Sequence, residues 1–225
     1  MLEQLLVWER EAFFLLNGSD SPFLDHFMWL YSGKMVWLPL ALFILFVLCY
    51  KRDWRQSLLL LLMIVLTITL CDQFASHLCK PLCMRYRPTH HPDFMAQVKV
   101  VFGYRGGLYG FISSHAANAF GFAMFLTLLF RNKGLGCSLF FWATLTAYSR
   151  IYLGVHFITD IIPGALSGLC FGVLVNALYL RLRRHFRMEE ERSLTEWRAR
   201  LMTRAIWVMI LLLLLLTEPL IFLLK

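Results

Sequence analysis

The sequence predicts an all-α membrane protein: a polytopic bundle of six transmembrane helices preceded by an interfacial N-terminal helix. Three observations carry this. The 225 residues are 59% hydrophobic and only 16% charged, where a soluble domain carries roughly a quarter charged residues. Mean hydropathy is +0.63. The apolar residues also gather into long runs, and runs of about 18 or more read as membrane helices.

Residues 1–33 alternate apolar and charged groups, with Leu5, Leu6 and Trp8 before Glu9, Arg10 and Glu11. The segment is too short and too charged to span. Asn17-Gly18-Ser19-Asp20 and Pro22 break it, and a second amphipathic piece runs from Ser21 through Trp29 and Tyr31. Both pieces read as interfacial helices with Trp and Tyr at headgroup level. Glu3 and the absence of a basic leader predict no cleaved signal peptide. Spans follow at about 35–50, 56–79, 115–130, 137–153, 158–179 and 205–223, with Pro39 and Gly164 tolerable inside them. The expected division is an interfacial segment over 1–33, a catalytic transmembrane core over 34–180, and a basic segment with the last helix over 181–225.

An even number of spans puts both termini on one side. Thirteen of the 22 basic residues then fall in the loops opposite: Lys51, Arg52, Arg55, Arg131, Lys133, and eight arginines between Arg181 and Arg204. The positive-inside rule places those loops in the cytoplasm. It turns 80–114 and 149–160 outward together, toward the periplasm if the membrane is a bacterial inner membrane. The 181–204 segment mixes its arginines with Glu189, Glu190, Glu191 and Glu196. It reads as a solvated or membrane-surface helix held to anionic lipid, with no nucleic-acid partner expected. The six cysteines read as small hydrophobes. Cys79 and Cys83 stand four apart, poor geometry for a disulfide.

Chemistry concentrates in three outward stretches. Ser149 to Asp160 carries Arg150, His156 and Asp160. On a helix, His156 and Asp160 would share a face, and Arg150 presents a fork of donors suited to phosphate. Taken alone, the stretch reads equally as polar residues capping helix ends at a membrane surface. Lys80 and Arg87 stand seven apart, so two helical turns could aim both at one anion; equally, both could snorkel to the interface. Ser113 and Ser114 directly precede a helical run, which makes an N-cap and an anion-ready helix terminus. His115 follows them and can serve as a proton donor to a leaving oxygen. No Asp/Glu cluster is available to hold a metal, and no cofactor is expected. The inventory suits metal-free phosphoryl transfer through a histidine nucleophile.

Weaker cases lie around these. Arg85 and Arg105 are candidate headgroup contacts, the latter in a Tyr104-Arg105-Gly106-Gly107 turn. His90, His91, Asp93 and Lys99 read as loop residues. Asp72, Gln73 and His77 fall in the outer half of the second span, where ionisable groups serve function or interhelical hydrogen bonding.

These residues resemble the type-2 phosphatidic acid phosphatase superfamily, whose signatures are K-x6-R-P, P-S-G-H and S-R-x5-H-x3-D. Lys80, Arg87 and Pro88 match the first, and Ser149, Arg150, His156 and Asp160 match the third. The second is degenerate: Ser113 and His115 are kept, while Ile112 and Ser114 replace its Pro and Gly. The resemblance covers roughly residues 20–180. It implies that His156 attacks phosphorus to form a phosphohistidine, that Asp160 orients it, and that His115 protonates the leaving group and then activates water. It implies that Lys80, Arg87, Arg150, Ser113 and the Ser114 N–H hold the phosphoryl oxygens. Serine at 114 keeps that N–H and is expected to narrow the pocket mildly. The implied substrate is an amphiphilic lipid phosphate: undecaprenyl diphosphate, phosphatidylglycerophosphate or phosphatidic acid, with lipid A as the alternative. Vanadium haloperoxidases share the signatures but are soluble; a non-catalytic lipid-binding or transport protein is the other rival.

Overall fold

The computed structural model describes residues 2–188 and 192–224; Glu189, Glu190 and Glu191 of the mixed-charge segment and Lys225 of the charge tally lie outside the described residues. The described residues form a helical bundle without strands, relieved only by one isolated antiparallel bridge between Tyr86 and Tyr109.

The helices are α1 Leu2–Leu16, α2 Pro22–Ser32, α3 Leu38–Cys49, α4 Trp54–Gln73, α5 Lys80–Cys83, α6 Ser114–Phe130, α7 Lys133–Tyr152, α8 Ile158–His185 and α9 Arg192–Leu224. A π-helical turn over Phe74–Cys79 joins α4 to α5, so the chain is helical without a break from Trp54 to Cys83. Local chemistry sets the starts. Asp53 accepts from the Arg55 N–H at 2.9 Å to cap α4, and Asn132 accepts from the Leu135 N–H at 3.0 Å to cap α7. Ser21 caps α2 with Pro22 in its first turn, where a missing N–H does no harm.

Each of the six apolar stretches is helical, in α3, α4–α5, α6, α7, α8 and α9. Among the described residues, three helices are long and apolar enough to cross a membrane, Trp54–Cys83, Ile158–His185 and Thr195–Leu223. A fourth crossing results if α2 and Met35–Cys49, bent by 71°, are one broken span, and α6 is a shorter apolar helix. The segment from Ser21 to Tyr31 departs from the surface role expected of it. Its helix buries Phe27, Met28, Leu30 and Tyr31 against α7 and α9, and the Tyr31 hydroxyl donates to the Trp142 carbonyl at 3.2 Å. An amphipathic face satisfies itself against neighbouring helices as well as against lipid. All six cysteines are free, Cys79 and Cys83 included.

The centre of the bundle is α6, packed on α4, α7 and α8. Its closest neighbour is α8, where Gly164, Gly168 and Gly172 recur every four residues. A Cβ at Gly168 would stand 2.3 Å from the Ala117 carbonyl oxygen, one at Gly164 2.6 Å from that of Ser113, and one at Gly172 2.7 Å from that of Gly121. Only hydrogen fits, so the two backbones touch along three turns, the small-residue seam by which membrane helices associate. At its outer end the Ser113 N–H donates to the Asp160 carbonyl at 3.0 Å, tying the start of α6 to the start of α8. Gly168→Val is therefore expected to destabilise the protein by about 3 kcal/mol or more, the upper end of overpacking penalties, because the obstacle is backbone. Gly107→Ala, whose Cβ meets nothing within 4 Å, should leave the unfolding temperature in detergent unchanged.

Candidate active site

α6 and α8 begin, and α7 ends, at one end of the bundle. Their termini and the 84–112 loop bring the three predicted stretches together.

His156 lies in the turn between α7 and α8, not on a helix. α8 starts only at Ile158, and Phe157 is its N-cap residue. Asp160, in the first turn of α8, reaches back over that terminus. Its Oδ2 accepts from the Phe157 N–H at 2.9 Å and stands 3.4 Å from His156 Nδ1. The four-residue spacing thus works through a helix cap rather than a shared helical face. An acidic group there is also favoured by the helix dipole. His156 Nε2 faces the Arg87 guanidinium at 3.3 Å. A guanidinium only donates, so Nε2 is the nitrogen with the free lone pair and Nδ1 carries the proton toward Asp160. Burial, then the charges of Arg87, Arg150 and Lys80, push the His156 imidazole well below its ordinary pKa. The ring is neutral at physiological pH, the state in which an imidazole nitrogen can act as a nucleophile.

Lys80 and Arg87 converge, but not along one helix. The helix ends at Cys83, Met84 takes the left-handed conformation (φ 42°), and the chain turns extended. Arg87 is then held by the Tyr109 carbonyl (3.1 Å) and the Val155 carbonyl (3.3 Å). Gly106 and Gly110 make room. A Cβ at Gly106 would sit 2.9 Å from an Arg87 nitrogen, and one at Gly110 would sit 3.1 Å from Asp160 Oδ2. Lys80 donates to Ser114 Oγ at 3.3 Å and to Ser76 Oγ at 3.2 Å, while Ser76 donates on to Asp72. The serine that replaces the family glycine therefore anchors a cation. Asp72 stands behind Lys80 as a hydrogen-bonding support.

Arg150, 2% exposed in the last turn of α7, donates to the Ser32 hydroxyl and to the Tyr104 hydroxyl at 2.7 Å. Its Nε is buried without a protein partner. Two nitrogens hold the side chain in place and the third remains for an acceptor. The Ser113 hydroxyl is the N-cap of α6, accepting from the Ala116 N–H at 3.4 Å. His115 lies in the first turn of that helix, close enough to Arg150, His156, Lys34 and Arg87 to feel their charges. It also lines a groove of about 520 Å³, with Ser114 and Lys34, that runs between Trp37, Leu40, Ile44, Ile64, Phe122 and Trp142.

Two expected headgroup contacts face elsewhere. Arg85 turns inward, with Asp160 Oδ1 at 3.0 Å and Glu9 Oε2 at 2.5 Å, because two buried carboxylates outbid solvent for it. Arg105 donates to the Thr89 carbonyl at 3.4 Å and so braces its own loop. His91 stacks on Phe94, and Lys99 pairs with Asp25 at 2.8 Å, both structural. Ser32, Tyr104 and Glu9 join the site without having been anticipated. Gly106 and Gly110, where backbone closes tightly on Arg87 and Asp160, were the one available hint in the sequence.

Residues 57–184 match the PAP2 superfamily, a stretch that contains Lys80, Arg87, Ser113, Ser114, His115, Arg150, His156 and Asp160. The chain belongs to the PAP2 superfamily. It is 45% identical over 182 residues to the Lipid A 4'-phosphatase of Porphyromonas gingivalis, covering 81% of this chain and 77% of that protein. It is 40% identical over 169 residues to the Lipid A 4'-phosphatase of Bacteroides thetaiotaomicron, covering 75% of each. Among solved structures, Aquifex aeolicus LpxE superposes with a TM-score of 0.50 at 28% identity, over 73% of this chain and 92% of that one. A PAP2-type phosphatidylglycerolphosphate phosphatase from Bacillus subtilis superposes with a TM-score of 0.57 at 24% identity, over 80% and 89%, and shares the fold. This PAP2 protein is accordingly a multi-pass membrane hydrolase of the lipid phosphatase type.

Proposed function

We propose that this PAP2 member hydrolyses a phosphate monoester on a lipid headgroup, and that lipid A is the lipid. One observation carries the substrate: the two relatives at 45% and 40% identity, each matched over three quarters or more of its length, are both named Lipid A 4'-phosphatase. That favours lipid A over the diphosphate and glycerophospholipid substrates expected first. The groove beside His115, almost wholly apolar along its walls, suits an acyl chain whose phosphate rests among Lys80, Arg87 and Arg150.

The reaction runs in two displacements. His156 Nε2 attacks phosphorus, the P–O bond to the lipid breaks, and His115 gives its proton to the leaving alkoxide oxygen. A water then attacks phosphorus while His115 takes a proton from it; the new P–O bond forms as the P–N bond to His156 breaks, and inorganic phosphate leaves as His156 Nε2 regains its lone pair. Asp160 keeps the proton on Nδ1 throughout and stabilises the cationic ring of the phosphohistidine. The cations and the free Arg150 Nε neutralise the oxygens as negative charge builds. The lining of this site is cationic, with Lys80, Arg87 and Arg150 close to one another, and suits an anionic phosphate bound without a metal ion.

The division that suits this reading is residues 34–180 as catalytic core, 181–225 as basic segment with the final helix, and 1–33 as an N-terminal segment whose second helix, α2, packs on α7 and α9. The site faces the periplasmic side of the inner membrane, supported by Arg131, Arg183, Arg184 and Arg187 lining a groove at the far end of α6 and α8. The test is phosphate release in detergent from lipid A, undecaprenyl diphosphate, phosphatidylglycerophosphate and phosphatidic acid, with EDTA and orthovanadate arms. Lipid A is expected to turn over about 10-fold or more faster than the others, a transition-state preference of about 1.4 kcal/mol. Orthovanadate should inhibit and EDTA should not. Preference for a diphosphate would overturn the substrate, and loss of activity in EDTA restored by a divalent ion would overturn the mechanism.

A further inference from the structure

The interfacial helix α1 carries a buried carboxylate. Its outward face shows Trp8 and Leu15, 68% and 84% exposed, while Phe13 and Glu9 turn inward at 0% and 9%. A charge in that position is unfavourable unless it is paired, and Glu9 is paired twice. Its Oε2 meets Arg85 at 2.5 Å, and its Oε1 accepts from the Thr159 hydroxyl. Arg85 in turn donates to Thr159 Oγ1 at 2.6 Å and to Asp160 Oδ1 at 3.0 Å, with its guanidinium carbon 4.5 Å from the centre of the Phe157 ring. Phe13 closes the assembly edge-on against Phe157 at 5.3 Å.

The two oxygens of Asp160 therefore have separate holders. Oδ2 is engaged by the Phe157 N–H and His156, and Oδ1 by Arg85. We propose that Glu9 and Arg85 are a positioning pair that locks Asp160 behind His156, so that α1 is a working part of the catalytic apparatus. Arg85 fixes the rotation of the Asp160 carboxylate and keeps it charged. Glu9 fixes Arg85, which would otherwise be a fourth cation free to swing to the phosphate alongside Lys80, Arg87 and Arg150. Thr159, between them, supplies the bridge. Glu9 lies outside residues 57–184, so this support comes from beyond the segment that matches the superfamily.

The inference rests on the His156–Asp160 dyad proposed above, and the experiment separates the two. Steady-state phosphate release from lipid A and from phosphatidic acid is measured on the full chain in detergent for the wild type, Glu9→Gln, Arg85→Ala, Arg85→Lys, Asp160→Asn, and the pairs that combine Asp160→Asn with Glu9→Gln and with Arg85→Ala. Arg85→Ala is expected to lower kcat by about 10-fold or more and Glu9→Gln by about 3-fold or more, with KM within about 2-fold, and both effects should vanish on the Asp160→Asn background. Arg85→Lys, which keeps the charge but cannot bridge three acceptors, should recover only part of the loss. A raised KM with kcat retained would make Arg85 a headgroup contact and overturn the proposal. Equal losses with and without Asp160 would also overturn it. Should Arg85→Ala not fold, the near-isosteric Glu9→Gln carries the same cycle by itself. Wild-type turnover by Asp160→Asn sinks the dyad instead, and a wild type active on phosphatidic acid but not lipid A sinks only the substrate.

Discussion

His156→Ala should abolish turnover, lowering kcat by roughly 10⁴-fold or more, the scale on which removal of a covalent nucleophile falls in other hydrolases. The loss follows from the position of the side chain. His156 is 1% exposed, its Nδ1 is directed to Asp160, and its Nε2 lone pair points at the cluster of cations. Thermal unfolding of the purified variant in detergent distinguishes lost chemistry from lost fold. Asp160 keeps its bonds to the Phe157 N–H and Arg85 in the variant, so the fold is expected to persist. A His156→Ala protein that releases phosphate at the wild-type rate would remove the nucleophile assignment.

Arg150→Lys carries the second largest expected effect, a drop in kcat/KM of roughly 10²–10³-fold, comparable to removing one preorganised donor from a transition state. Formal charge is unchanged, so a purely electrostatic role would show almost nothing. The guanidinium, however, uses two of its nitrogens on Ser32 and Tyr104 and keeps a third, the buried Nε, without a protein partner. An ammonium is a point charge on a flexible stem and cannot reproduce that arrangement. Full activity in Arg150→Lys would show that position 150 needs charge and no geometry. Separate kcat and KM values indicate whether the arginine acts on bound substrate or on the transition state.

The bundle and the polar core of the site were legible for a physical reason. Long apolar runs can only be helices in lipid, and Lys80, Arg87, His156 and Asp160 sit at spacings that carry their own signature. What was not legible came from across the chain. Ser32 reaches Arg150 over 118 positions, Tyr104 over 46, and Glu9 reaches Arg85 over 76. Periodicity holds no record of such pairings. The same limit explains α2, whose one-sided apolar pattern is identical whether lipid or α7 and α9 cover it. The His156–Asp160 spacing gave the right contact with the wrong local geometry, since a residue before a helix N-cap and one in its first turn are also near neighbours. Arg85 was misplaced because an outward loop cation reads as a ligand contact until a buried carboxylate is known to lie behind it.

The glycine seam between α6 and α8 has a consequence for how such an enzyme can change. It joins the helix that presents His115 to the helix that carries Asp160, backbone on backbone, with no tolerance for sliding. The reacting groups thus belong to a chassis that selection cannot adjust by degrees. The groove beside His115 is lined on one side by α6, through Phe122, and on the other by Leu40 and Ile44 of α3 and Ile64 of α4, which lie outside the seam. Substitutions there can reshape what chain length or headgroup is accepted while the bond-breaking geometry stays as it is. On the proposed reading of the groove, its α3 and α4 walls can change with the lipid while the α6–α8 seam, and the chemistry it carries, stays in place.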